Sequence, residues 1–189
     1  TPERYLREML DSVRRQSYQN WELCLSDGSG EDSPIAEILK EYTKKDSRIQ
    51  VKNNKKQLHI SDNTNVALDM ATGDYIAFMD HDDLLTPDAL YECVAEVNEY
   101  PDTELIYTDE DKITMDGEEY FFPHFKSDFN LDMLCTTNYF CHLVVVKKEL
   151  YQAAGKLDGE YDGAQDYDFV LRCVENTDKI RHIPRVLYH

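Results

Sequence analysis

The sequence predicts an α/β fold built on a mixed sheet, and three observations carry that reading. Short apolar runs rich in β-branched and aromatic residues alternate with helix-period segments up to about residue 110. Several of these runs end in clustered acids or turn residues, as strands do where they meet a loop. Beyond residue 110 the pattern loosens through "KITMDGEEYFFPHFKSDFNLDML" before strand and helix signals return. The alternation marks a sheet of parallel type, and the irregular second half marks a mixed edge with a substrate-facing subregion. Such a sheet ordinarily opens on a strand, whereas this sequence opens on a helix. A first strand is therefore expected to be missing, and the chain is expected to be part of a longer one.

The elements follow in order. Leu6, Met9, Leu10 and Val13 have helical spacing. "WELCL" (21–25) reads as a strand closed by the turn "SDGSGED". Ser33 and Pro34 start a helix whose body is "IAEILKEY", and "RIQVK" (48–52) is the next strand. A helix over 62–71 stops at Gly73, and "YIAFMD" follows as the clearest strand. Thr86 and Pro87 cap a helix running to about Glu99. "ELIYTDED" is a fourth strand, again ending in acids. "HLVVVKKEL" is a strand passing into a short helix, "AQDYDFVLRCVENT" is helical, and "RHIPRVLYH" closes the sequence as a strand. No linker, internal repeat or low-complexity segment divides residues 1–189, which reads as one domain.

Charge narrows the function classes. Of 189 residues 38 are acidic and 20 basic, a net charge of −18. Nucleic acid and anionic membrane surfaces need a basic stripe to replace phosphate counterions, and none is present. An anionic ligand is acceptable only where a cation reverses the local field. The five cysteines are scattered without a C-x-x-C, which favours reduced thiols in a cytoplasmic setting over a disulfide or zinc framework. No apolar run approaches the ~20 residues that span a bilayer. Membrane association is therefore expected to be indirect, or to reside in sequence outside this chain.

The stretch "YIAFMDHDDLLTPDAL" concentrates the chemistry. Alternate strand residues share a face, so Asp80 and Asp82 are expected to point the same way. Ligands of open α/β sheets bind beyond the carboxyl ends of strands. Two carboxylates there suit Mg²⁺ or Mn²⁺. The alternative is a solvated acidic loop, with Asp83 and Asp88 favouring the helix that follows. A third reading, the aspartate-nucleophile motif of dehalogenase-like phosphatases, fits poorly: Leu84 stands where that motif continues with Thr or Val. Asp109, Glu110 and Asp111 read as a solvated turn or a substrate-side shell. His59, His124, His142 and His182 read as structural.

The separated blocks "YLREMLDSVRRQSYQNWELCLSDGSGED", "NVALDMATGDYIAFMDHDDLLTPDAL", "YTDEDKI", "NYFCHLVVVKKEL" and "GAQDYDFVLRCVE…IRHIPRVLYH" together resemble glycosyltransferase family 2 over nearly the whole chain. The resemblance implies the GT-A nucleotide-diphosphosugar fold, with helices on both sheet faces. Residues 1–110 would form its nucleotide-sugar-binding half, and residues 111–189 its acceptor-binding and catalytic-base half. It implies inverting, divalent-metal-dependent transfer of a sugar to a glycan or lipid-linked acceptor in bacterial surface-polysaccharide synthesis, at the cytoplasmic side. The alternative is a non-catalytic nucleotide-sugar or glycan-binding module of a larger protein.

By position, Asp80 and Asp82 match the family's metal-binding D-x-D, with His189 as a further metal contact. Asp27 matches the nucleotide-recognising aspartate; the family usually has a second aspartate next, where this sequence has Gly28. Asp62, Asn63 and Asn65 fall in the region facing the sugar diphosphate. Asp166 matches the general base, preceded by Gln165 where Glu is usual. Tyr120, Phe121, Phe122 and Phe125 are core residues or stacking platforms for the acceptor.

Overall fold

The computed structural model describes residues 2–189 and contains a two-stranded and a five-stranded sheet flanked by helices. Helix α1 (Glu3–Arg14) leads into β1 (Leu23–Asp27), α2 (Ala36–Lys45), β2 (Ile49–Asn53), α3 (Ile60–Leu68), β3 (Tyr75–Phe78) and α4 (Ala89–Glu99). The second half holds β4 (Leu105–Ile113), β5 (Tyr120–His124), α5 (Leu131–Leu134), β6 (Val144–Lys147), α6 (Lys148–Ala154), α7 (Gln165–Asn176) and β7 (Ile180–Tyr188). Each strand and long helix expected from the residue pattern forms, with ends displaced by a few residues.

The sheet is mixed, as expected, with β5 and β6 running antiparallel to their neighbours. β1 and β2 are parallel, as are β4 and β7. β6 inserts between β3 and β4 and runs antiparallel to both, so β3 and β4 point the same way without bonding each other. Farther along the same edge of β4, β5 returns as an antiparallel hairpin. Among the described residues, β1 pairs only with β2 and β3 only with β6. Glu22, beside the start of β1, reaches across to the backbone N–H groups of Thr72 and Gly73 just before β3.

The period-2 pattern of the central strands sorts the core into two layers. Ile106 and Val145 face a cluster with Leu6, Met9, Leu10 and Val13 of α1, Ile38 and Leu39 of α2, and Ala89 and Cys93 of α4. Leu105, Tyr107, Val144 and Val146 face the other way, onto Leu68 of α3, Leu150 of α6 and Phe169, Val170 and Cys173 of α7. Both faces are thus covered, which explains why these strands read as continuous apolar runs. Leu105, Ile106 and Val146 have no exposed surface.

Because β6 is antiparallel to its neighbours, its amino end, Val144, lies beside Phe78 at the carboxyl end of β3 and beside Tyr107 within β4. His142, in the segment just before β6, is thereby brought to Asp80 in the turn after β3 and to Glu110 in the second half of β4. None of the helices among the described residues is long and apolar enough to cross a membrane.

Candidate active site

β3 ends at Phe78, so Asp80, His81 and Asp82 lie in the turn that follows rather than on the strand. The alternation that would place Asp80 and Asp82 on one face therefore does not extend to them. The chain after this turn zips onto the end of β7: Leu84 and His189 exchange backbone hydrogen bonds of 2.8 and 2.9 Å, and the Thr86 N–H donates to the Leu187 carbonyl. This pairing brings Tyr188, buried at the end of β7, beneath the acidic turn. Its hydroxyl accepts from the Asp80 backbone N–H at 3.0 Å and donates to Asp83 Oδ2 at 2.6 Å. The His142 ring stacks on the Tyr188 ring, with centroids 5.0 Å apart.

Asp80, Asp83 and His142 each offer one ligand-capable atom, and the three atoms lie within 4.8 Å of one another. His142 Nε2 is 3.9 Å from Asp80 Oδ2. Burial lifts the Asp83 carboxyl above the usual aspartate range, with the Asp80 and Asp82 charges adding and the Tyr188 hydrogen bond opposing. Two carboxylates and an imidazole form a hard, mixed O/N donor set that fits Mn²⁺ and tolerates Mg²⁺.

Asp166 stands in the first turn of α7, partly buried and accepting from Gln165 Nε2 at 3.1 Å. Burial raises its pKa; His142 opposes the shift and the Asp80 charge adds to it, so Asp166 lies within electrostatic reach of both. Asp168, two positions on, is held by Arg172 at 2.7 Å, an i,i+4 pair of the helix itself.

The remaining sequence-derived positions divide. Asp82 is exposed and bonds His81 Nδ1 at 2.9 Å; it lines the neighbouring cleft but lies outside the three-residue cluster. His189 also lines that cleft, but its Nδ1 contacts Asp111 Oδ1 at 2.5 Å, so it too is outside the cluster. The structure thus gives Asp80 different neighbours, Asp83 and His142, because the turn after Phe78 rotates Asp83 inward and β6 delivers His142.

Asp27 is buried at the end of β1, where it accepts from the Ser29 N–H and the Ser33 hydroxyl and so shapes the 28–33 loop. Asp62 is exposed in the first turn of α3. The Asn65 amide donates to the Leu157 carbonyl at 2.8 Å and accepts from the Leu157 N–H at 3.0 Å, which ties α3 to the loop before α7. Asn63 clips α3 to β1 through Ser26 in the same manner. A Cβ on Gly28 would sit 2.7 Å from Asn63 Oδ1, so the missing second aspartate leaves room for that clip.

Asp109, read as part of a solvated turn or a substrate-side shell, is buried and accepts from the Lys126 N–H and from His182 Nε2, both at 2.9 Å. His142, Asp83, Tyr188 and Lys126 are the residues of this candidate site that sequence reasoning did not assign to it; Glu110 was read as part of a solvated turn or a substrate-side shell. The available signal was strand direction: a histidine just before an antiparallel β6 must meet the turn that follows β3.

A cleft of about 610 Å³ adjoins the cluster, with Asp82, Asp83, Glu110, Asp111, His142 and His189 among its lining residues. Its far wall includes Phe121 and Phe122 of β5. Two β5 residues, Phe122 and Pro123, oppose Asp111 alone across the hairpin, a bulge that turns Phe122 outward with φ +49° and 76% exposure.

The described fold matches GT-A sugar transferases of known structure. Staphylococcus aureus TarS residues 1–349, solved with UDP-GlcNAc, superpose with a TM-score of 0.80 at 20% identity, over 98% of this chain and 54% of that one. A mannosyltransferase from Pyrobaculum calidifontis, solved with GDP-Man and Mn²⁺, gives 0.70 at 17% identity, over 97% of this chain and 52% of that one. The profile of glycosyl transferase family 2 matches residues 2–152, and the chain belongs to that family. Among curated relatives, an uncharacterized protein, y4gI, of Sinorhizobium fredii is 45% identical over 97% of this chain. The O-antigen biosynthesis protein RfbC of Myxococcus xanthus is 36% identical over 99% of it. The chain spans 20% and 15% of the length of these two relatives.

Proposed function

We propose that this domain transfers a sugar, with inversion, from a nucleotide-diphosphosugar to a glycan or lipid-linked acceptor in surface-polysaccharide assembly at the cytoplasmic side of the membrane. The observation that carries the reading is the convergence of Asp80, Asp83 and His142, with Asp166 in electrostatic reach, in a chain of this family. The O-antigen role of one relative supports the pathway class.

Asp80, Asp83 and His142 would hold the divalent cation, which when bound neutralises charge developing on the departing diphosphate. Asp27, through the loop it shapes, and Asp62 would form the nucleotide side. The acceptor enters against Phe121 and Phe122, whose rings stack on a sugar face while the acids opposite accept its hydroxyl hydrogens. In the reaction the acceptor oxygen bonds to the anomeric carbon as the bond from that carbon to the diphosphate oxygen breaks. Asp166 takes the acceptor's proton, and the pKa elevation caused by burial makes it a stronger base than an exposed aspartate. No covalent sugar–protein intermediate is needed.

The test is calorimetric titration with UDP, GDP and dTDP, each with and without Mn²⁺. At least one nucleotide should bind more tightly with Mn²⁺, and Asp83→Asn should remove that gain while Asp82→Asn retains most of it. Binding of no nucleotide overturns the transferase reading. Loss in Asp82→Asn alone would return the cation to an Asp80–Asp82 pair. Tight nucleotide binding without transfer to any acceptor would instead indicate a non-catalytic module.

A further inference from the structure

Lys126 precedes α5 with its side chain wholly removed from solvent. Its Nζ donates to the carbonyls of Phe140 at 3.0 Å and His142 at 2.7 Å, and lies 3.5 Å from Glu110 Oε2. Glu110 Oε2 also accepts the His142 backbone N–H, while its other oxygen contacts His124 Nδ1 at 3.2 Å. One residue further on, the Leu143 N–H donates to the Thr108 hydroxyl at 3.3 Å, and the Thr108 N–H donates to the Leu143 carbonyl. His142 is therefore gripped on both sides of its peptide unit by β4 and by one buried ammonium.

Burying an ammonium is costly, and a well-packed apolar side chain of similar length commonly serves a fold as well or better. The methylenes of Lys126 would be matched by a methionine. What methionine lacks is a donor for two carbonyls of the segment that carries His142. We propose that Lys126 and Glu110 are positioning residues, which set the His142 imidazole against Asp80 and Asp83 and thereby determine how tightly a divalent cation is held. This rests on the cation site proposed above. Neither residue belongs to the Asp80–Asp83–His142 cluster, and Lys126 is closed off from the cleft solvent.

The sign of one measurement separates positioning from simple charge. Removing a positive charge near the site favours a cation by Coulomb's law, so a purely electrostatic Lys126 predicts tighter Mn²⁺ binding in Lys126→Met. Positioning predicts weaker binding, by about tenfold, as is typical when an outer partner of a metal ligand is lost. Mn²⁺ affinity is read from the electron paramagnetic resonance signal of the free ion, with melting curves confirming that each variant is folded. Where Lys126→Met fails to fold, Glu110→Gln and Glu110→Ala supply a charge-matched pair. Glutamine keeps an oxygen for the His142 N–H and alanine does not, so alanine should bind Mn²⁺ at least about fivefold more weakly. Equal or tighter binding by a folded Lys126→Met, or equal affinities in the Glu110 pair, overturns the proposal. If the wild type itself fails to bind Mn²⁺, the cation site falls, and the positioning proposal with it. Wild-type binding that is unchanged in the variants removes the positioning proposal alone.

Discussion

For Asp166 the stability cost of burial and the proposed role as general base have opposite pH signatures. Burial holds its pKa above the usual aspartate value, so the native state binds this proton more tightly than the unfolded chain does. The stabilisation linked to that proton is complete below the unfolded-state pKa and is lost as pH rises through the folded one. Asp166→Asn should therefore melt at a higher temperature than wild type at pH 7.5, with the difference closing as the pH falls below the ordinary aspartate range. The same substitution should lower kcat by roughly 10²- to 10⁴-fold, the usual contribution of a general base. In the wild type the acid limb of kcat/KM should lie above ~3.9, the unperturbed aspartate value. A limb that stays in place in Asp166→Asn would show that another group takes the proton. Asp83 shares the direction of shift, so its titration adds to the loss of stability with rising pH. The type and position of Asp166 were legible in "GAQDYD"; the burial that raises its pKa was not.

At the scale of elements, the clip between β1 and α3 shows how a local absence becomes a packing requirement. Asn63 bonds the Ser26 carbonyl at 2.9 Å and accepts from the Ser26 hydroxyl at 2.6 Å, which is possible because Gly28 has no Cβ to meet it. Gly28→Ala should displace the Asn63 amide and cost about 1–2 kcal/mol for the bonds lost, measured by urea unfolding. Adding Asn63→Ala to that variant should cost little more, since the two changes break the same contact. A full additive loss in the double variant would contradict the shared mechanism. Element existence was readable from periodicity because each strand is apolar on both faces or ends at a turn signal. The hairpin bulge at Phe122–Pro123 was not, since its φ +49° comes from the pairing register across β4 and β5.

For the molecule as a whole, a net charge of −18 means that the folded state confines mutually repelling carboxylates. Raising NaCl from 10 to 150 mM shortens the screening length from about 30 to about 8 Å and should raise Tm. Mn²⁺ at millimolar concentration should raise it further than an equal ionic strength of NaCl if a specific site exists. Equal shifts at matched ionic strength would reduce the cation's effect to screening. The family, the alternation of helices and strands, and the aspartates at strand ends were all determined by the sequence, because apolar period and turn chemistry are local properties of a chain. Which acids meet was decided only by tertiary structure. β6 runs backwards between β3 and β4, and this long-range pairing carries His142 to Asp80 and Asp83 and sets Lys126 behind it. It likewise left Asp82 and His189 at the cleft with partners of their own.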